Sequence, residues 1–472
     1  MTSAELPTLQ TALVQLPLAS AHFSDRTADS YRKLLRDAHR AMDDGNVPRD
    51  GRREWIVPGR IEVLGKHVDY AGGRSLLCAV ERGIAIVARP HAERTLVVRD
   101  ARRREAISVS FDLAPQGSVP WAVYPRTVVR RLRRNFGDVI HGSDLALASN
   151  LPAAAGVSSS SALTVGLTIV MAALSSLHEH ELWQQAIPDR VHLAGYVGAL
   201  ENGLDFGVLG GERGVGTMGG AQDQTAILCS APAQLDVFRW APVHHERSVP
   251  WPSDYTFVIG VSGITAAKTG AARDRYNRVA RTAHHIVHAW NAATNGRART
   301  LHEAFADASG SEMPSEVPVS LIDAVHASAS EEFTANVLEA RLQQFADESY
   351  RLVPQAAAAL AEHDLYLFGA LVAQSQAGAE RALDNQIPAT VMLVALAREL
   401  GAVASSAFGA GFGGSVWAMV RTDEAERFAA RWRERFVRSH TGHTARTHFF
   451  VTAPSMPAFE VLRDASSVDG DA

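Results

Sequence analysis

Three short stretches of this 472-residue chain concentrate the residue types that do chemistry. The first, 151–163, reads LPAAAGVSSSSAL and sets four consecutive serines between a short apolar run at 145–148 and a longer one. A helix beginning there would leave its first backbone N–H groups without intrahelical partners, at the positive end of the helix dipole. A glycine- and serine-rich lead-in lets the chain close on an anion, so the stretch is a candidate phosphate cradle. A serine-rich loop capping an ordinary helix fits these residues equally well. The second stretch, 58–73, reads PGRIEVLGKHVDYAGG. Arg60, Lys66, His67, Asp69 and Tyr70 crowd among Gly59, Gly65, Gly72 and Gly73. Charge packed that densely among glycines suits a polar site better than a core or a plain loop. The third, SSAFGAGFGGSVWAMV at 405–420, reads as strand, glycine-rich turn, strand.

The elements that must position these stretches alternate between α and β. A helix is expected over 24–42, where Tyr31, Leu34, Leu35 and Ala38 share one side. Strands are expected at 84–89, 95–99 and 106–111, a helix at 124–135, and a strand at 144–149 entering the serine stretch. Residues 161–177 form a nearly all-apolar helix, which must be buried. A further helix runs from about 188 to 203, and 203–222 is glycine-rich and irregular. The polar, proline-rich 240–254 reads as a boundary between halves. Beyond a strand at 255–262, the chain is largely helical from 271 to 400, with a break at 308–318. Strands flank GAGFGG, a helix follows Asp423, and 444–452 is the last strand. The tail from Ala465 reads as disordered. The expected domains are 20–240 and 250–460.

Composition excludes several classes. The chain is 46% hydrophobic and 21% charged, with a net charge of −5, so nothing favours a nucleic acid or other polyanion. The arginine-rich segments at 99–104 and 126–134 read as solvated faces. Cys78 and Cys229 are too few for a disulfide framework or a metal site. The N-terminus lacks a secretory pattern, and no run approaches the ~18 apolar residues of a membrane span, so a cytoplasmic location is expected. GITAAKT at 263–269 lacks the spacing of a P-loop, GAGFGG lacks Rossmann spacing, and no HRD or DFG of a protein kinase occurs.

Together the three stretches resemble the motifs of the GHMP kinase family, and within it those of the galactokinases. GRIEVLGKHVDYAGG at 59–73 is similar to the family's GRxNLIGEHTDYNxG, PAAAGVSSSSA at 152–162 to PxGxGLSSSAS, and GAGFGGS at 409–415 to GGGFGGC. Tyr276 and Asn277, in KTGAARDRYNRVAR at 268–281, align with a lesser motif. The resemblance implies an α+β, two-lobed GHMP kinase fold with the active site in the cleft between lobes. It implies transfer of the ATP γ-phosphoryl group to the anomeric hydroxyl of an aldose, galactose first. By the same resemblance Asp223, in GAQDQ, is the base, and Arg60 neutralises charge on the transferred group. Pro152, Gly156, Val157, Ser158, Ser159, Ser160 and Ser161 hold the ATP phosphates, and Ser160 with Glu201 holds Mg²⁺. Lys66, His67, Asp69, Tyr276, Gly411 and Gly413 meet the sugar. Phosphoryl transfer needs positioned phosphates, charge neutralisation and a proton acceptor, and these residue types supply them. The implied partners are a sugar and ATP, with the protein a monomer or small homo-oligomer.

Departures gather at the sugar end. Lys66 stands where galactokinases carry a glutamate associated with the sugar's C6 hydroxyl. A cation there would attract a carboxylate, so a uronic acid such as galacturonate is one alternative. In the other reading Lys66 turns away, pairs with a nearby acid such as Glu62, and the sugar is still galactose. Glu62 replaces a family asparagine and Val68 a threonine. The spacing from Glu201 to Asp223 is longer than the family's, through LGGERGVGTM. A non-catalytic sugar- or ATP-binding regulator of the same family is the third reading.

Overall fold

The computed structural model describes residues 13–112, 119–152, 156–264, 271–440 and 446–462, with only the backbone of 271–273. In chain order the first half runs β1 (Gln15–Pro17), α1 (Asp25–Asp44), β2 (Arg53–Leu64), β3 (Arg74–His91), β4 (Thr95–Asp100), β5 (Glu105–Ser110), α2 (Val123–Phe136), β6 (Gly142–Ser149), α3 (Ser159–Leu174), α4 (Glu181–Ala186), α5 (Arg190–Asn202), α6 (Gln222–Cys229), β7 (Gln234–Arg239) and β8 (His244–Pro250). The second half runs β9 (Tyr255–Val261), α7 (Ala271–Thr294), α8 (Leu301–Ser309), α9 (Val319–Ala327), α10 (Ala335–Ala346), a π-helical turn (Asp347–Leu352), α11 (Val353–Ala361), α12 (Leu365–Ala382), α13 (Pro388–Glu399), β10 (Ala404–Phe408), β11 (Ser415–Arg421), α14 (Ala425–Ser439), β12 (His448–Thr452), β13 (Pro454–Ser455) and β14 (Phe459–Leu462).

Two sheets carry this order. The larger has the path β1-β14-β2-β3-β6-β4-β5, with β7 and β13 also pairing β3 and β8 pairing β7. The smaller is antiparallel, β10-β11-β9-β12. Strand alternation puts successive side chains on opposite faces of the large sheet. Ile56, Ala85, Val87, Ala146 and Ala148 pack under α1 with Tyr31, Leu35 and Ala38. Val57, Ile84, Ile86 and Leu145 face the other way, into the core that includes Val165, Ile169 and Val170 of α3. The serine stretch leads into α3 on that second side, and α3 is buried along most of its length, as its largely apolar sequence requires.

The α+β class expected from the sequence is the class found. Three local readings change. The segment 240–254 contains β8, an edge strand with only Val249 fully buried, so it gives no alternating apolar signal. The chain does not end in the second sheet: β13 and β14 return to pair with β3 and β2 of the first. The arginine face of α2 is not simply solvated. Arg131 is 1% exposed and donates to the Leu204 carbonyl at 2.8 Å, and Arg130 and Arg134 lie 3.8 and 3.6 Å from Glu212. That face clamps the long connection from α5 to α6. Among the described residues no helix is long and apolar enough to cross a membrane. Residues 153–155, the start of the 268–281 stretch through Gly270, and the tail from Ala465 lie outside the described residues.

Candidate active site in the interlobe cleft

Strand β2 sets the site. Its pairing with β3 is irregular between Pro58 and Arg60 and again between Glu62 and Leu64. Arg60 and Glu62 lie between the two irregularities and so share a face of the strand. Gly59 permits the close approach of the serine loop: a Cβ there would sit 2.7 Å from Leu151 Cδ2 and 2.8 Å from the Val157 carbonyl oxygen. Beyond β2, helices distant in sequence grip the turn backbone. The Glu348 carboxylate accepts the Gly65 N–H at 2.9 Å, Gln344 donates to the Lys66 carbonyl at 3.0 Å, and Arg341 donates to the His67 carbonyl. Those bonds hold His67 at a φ of +56°, a conformation costly for a residue with a Cβ.

Asp223 lies in the first turn of α6, where the helix dipole favours negative charge. Its Oδ1 accepts from Arg60 Nε at 2.8 Å and from Nη2 at 2.7 Å. Its Oδ2 accepts from Ser158 Oγ at 2.6 Å and Ser161 Oγ at 3.2 Å. Arg60 Nη1 donates to the Gly156 carbonyl at 2.6 Å. The arginine–carboxylate pair is therefore joined directly to the loop that opens α3. Arg60 is 3% exposed, and a charge-assisted pair at that depth is geometrically specific.

The adjoining pocket is lined by Arg60, Glu62, His67, Asp69, Ser161, Glu201, Gln222, Asp223, Gln224, Tyr276, Gly409 and Ala410, among others. Asp69 Oδ2 accepts the Gly220 and Gln222 amides at 3.1 and 3.3 Å. Burial, and then repulsion from Asp223, push the Asp69 carboxyl above its usual range. His67 Nε2 lies 3.1 Å from the Ala410 carbonyl, which can only accept. Nε2 therefore carries the proton, leaving Nδ1 to accept from Tyr70 OH at 3.2 Å. Tyr276 lies beside His67, ring centroids 5.6 Å apart, and burial raises its hydroxyl pKa well above normal. Glu201 accepts from Gln224 Nε2 at 2.7 Å. The long α5–α6 connection does not displace these groups. Asn202 Oδ1 accepts the Gly219 amide at 2.9 Å, and Asn277 Oδ1 accepts that of Met218 at 3.0 Å.

The structure thus brings together Arg60, His67, Asp69, Ser161, Glu201, Asp223 and Tyr276 around one pocket. Pro152, Gly156, Val157, Ser158, Ser159 and Ser160 are not in its lining; of these, Gly156 bonds Arg60 and Ser158 bonds Asp223. Gly411 and Gly413 serve the shape of the β10–β11 turn: both have positive φ, and a Cβ at Gly411 would meet the Asn385 carbonyl at 2.4 Å. Lys66 is not in the lining. It is 1% exposed, and its ammonium donates to Ser375 Oγ at 3.0 Å, not to Glu62. Ser375 in turn donates to Glu348. Glu62, Gln222 and Gln224 also line the pocket and are not among the residues expected there from the sequence. The signal for Glu62 was its i, i+2 spacing from Arg60 on a strand; for the glutamines it was their place on either side of Asp223.

Burial pushes the Glu62 carboxyl up to about 8, against the opposing pull of Lys66, Arg60 and the Gln222 hydrogen bond and with Glu348 adding repulsion. The folded protein then holds a proton that the unfolded chain releases between about pH 4.5 and pH 8, so stability falls as pH rises through that window. Glu62→Gln has no such proton. Urea unfolding at pH 5.5, 7 and 8 is expected to show wild type losing stability relative to the variant, by on the order of 1 kcal/mol per pH unit. Parallel pH profiles would remove the assignment.

The pocket draws its lining from both halves of an α+β fold with two sheets. Residues 49–90 match the galactokinase galactose-binding signature, 123–230 the GHMP kinases N terminal domain, and 356–438 the GHMP kinases C terminal domain. The galactokinase of Roseiflexus sp. (strain RS-1) is 26% identical over 373 residues, spanning 79% of this chain and 84% of that protein. The galactokinase of Bacillus subtilis (strain 168) is 31% identical over 126 residues, 26% of this chain and 32% of that protein. The crystal structure of Lactococcus lactis galactokinase complexed with galactose has the same fold, with a TM-score of 0.71 at 19% identity, covering 89% of this chain and 98% of that one. The chain is a galactokinase-like sugar kinase, similar in both halves to the GHMP kinases, a family whose members use ATP.

Proposed function

We propose that this protein transfers the γ-phosphoryl group of ATP to the anomeric hydroxyl of a neutral aldose, galactose, in the cytoplasm. The observation that carries this reading is the Arg60–Asp223 pair bonded to the serine loop. Asp223 takes the proton of the anomeric hydroxyl as its oxygen bonds to the γ-phosphorus and the bond to the β-phosphate oxygen breaks, releasing ADP. Arg60 neutralises charge on the transferred group. The first turn of α3, Ser159–Ser161, offers amides to the phosphates. His67, Asp69 and Tyr276 hold the sugar.

Among the described residues no group of three or more His, Cys, Asp and Glu side chains is placed to hold a metal. Mg²⁺ suits this site nonetheless, because it is held through one or two protein oxygens and the nucleotide phosphates, and Glu201 and Ser160 are the oxygens we assign to it. Bound with ATP, it supplies neutralisation of the phosphate oxygens. The burial of Lys66 against Ser375 favours a neutral acceptor over a uronate.

The test is ADP release with ATP and galactose, N-acetylgalactosamine or galacturonate, with the product checked by phosphorus NMR for phosphate at the anomeric carbon. Turnover of galactose is expected. Turnover of galacturonate alone would reverse the acceptor assignment. Binding of ATP and sugar with no transfer to any aldose would make the protein a regulator.

A further inference from the structure

The resemblance places a glutamate where this chain has Lys66, and an asparagine where it has Glu62. The carboxylate is therefore not lost from this segment but moved four positions back, onto the strand. The structure gives the two side chains opposite fates. Lys66 turns into the helices, onto Ser375 and the Glu348 network. Glu62 stays in the wall of the pocket beside Arg60, 2% exposed.

The hydrogen bonding of Glu62 is half complete. Gln222 donates to its Oε2, and Gln222 is itself fixed by Ser75, whose hydroxyl donates to Gln222 Oε1 at 2.8 Å. Trp240 Nε1 donates to Ser75 Oγ at 3.0 Å, so the chain of bonds behind Glu62 is anchored in the core. The other oxygen, Oε1, is buried with no hydrogen-bond partner among the described residues. A buried polar atom left unpaired is costly, and one at the edge of a substrate pocket is satisfied when a ligand supplies the partner.

We propose that Glu62 is a specificity-determining residue for the acceptor: its Oε1 pairs with one hydroxyl of the neutral sugar, while Lys66 makes no acceptor contact. This rests on the sugar-kinase reading above. The elevated pKa of Glu62 agrees with it. Oε2 already accepts from Gln222, so a proton held near neutral pH resides on Oε1, where it can be donated to a hydroxyl oxygen.

The test is kcat/KM for galactose and its 2-, 3-, 4- and 6-deoxy analogues with wild type, Glu62→Ala and Glu62→Gln. In wild type, one deoxy sugar is expected to lose about tenfold or more through the missing contact with Glu62. In Glu62→Ala that penalty shrinks to within about threefold, with KM for ATP steady; Glu62→Gln, which preserves shape and one hydrogen-bonding group, retains part of it. The same penalties in all three proteins would overturn the inference and leave the kinase reading intact. If no aldose is turned over, the kinase reading fails alone, and calorimetric binding of the five sugars to the three proteins decides the role of Glu62 by the same pattern. No sugar binding at all would overturn both.

Discussion

Asp223→Asn is expected to lower kcat by about a thousandfold, with KM for ATP changed by no more than about threefold. The asparagine keeps the shape, and its carbonyl oxygen can still accept from Ser158 and Ser161, the partners of Oδ2. It cannot take a proton from the acceptor hydroxyl. Its amide nitrogen, if turned to Arg60, meets a guanidinium that now has no carboxylate. Steady-state kinetics with galactose, after circular dichroism has confirmed folding, reads the outcome. Activity within tenfold of wild type would exclude Asp223 as the base.

Arg60→Ala is expected to be nearly as severe, and to fail in two ways. Losing the guanidinium removes charge stabilisation of the transferred phosphoryl group, at a cost of about a hundredfold to a thousandfold in kcat/KM. It also removes the guanidinium from beside the Asp223 carboxylate in a largely buried setting, at about 3 kcal/mol in stability. Arg60→Lys separates the two effects. Lysine keeps a positive charge but cannot hold Asp223 and the Gly156 carbonyl at once with a planar fork. Stability should therefore recover more than activity does, as read by urea unfolding beside kcat/KM. Full activity in Arg60→Ala would sever the pair from the chemistry.

Much of the fold was legible because its signals are local. Ser24 before α1 accepts the Thr27 amide, and Asp189 before α5 accepts that of His192, each a cap written in the sequence. The largely apolar α3 could only be buried, and the glycines of GAGFGG could only be a turn. What escaped were elements whose stability is not local. Strand β8 shows one buried side chain and is held by its ladder to β7. Strands β13 and β14 are too short to announce themselves and exist by pairing into a sheet built from the opposite end of the chain. The arginines of α2 look solvated until the α5–α6 connection folds over them.

The same division runs through the site. The sequence by itself determined the serine loop: a glycine, a run of serines and a buried helix form one contiguous motif, because helix starts and glycine turns are properties of neighbouring residues. It also named Arg60 and Asp223, though not that Oδ2 of Asp223 would accept from two of those serines. Only the tertiary structure decided which of Lys66 and Glu62 lines the pocket. Whether Lys66 or Glu62 reaches the pocket depends on the irregular pairing of β2 and on Gln344, Glu348 and Ser375, which come from helices far along the chain. A side chain's direction on such a strand is set by what packs against it. That is why the charge reversal readable at Lys66 does not face the pocket, whereas Glu62 does.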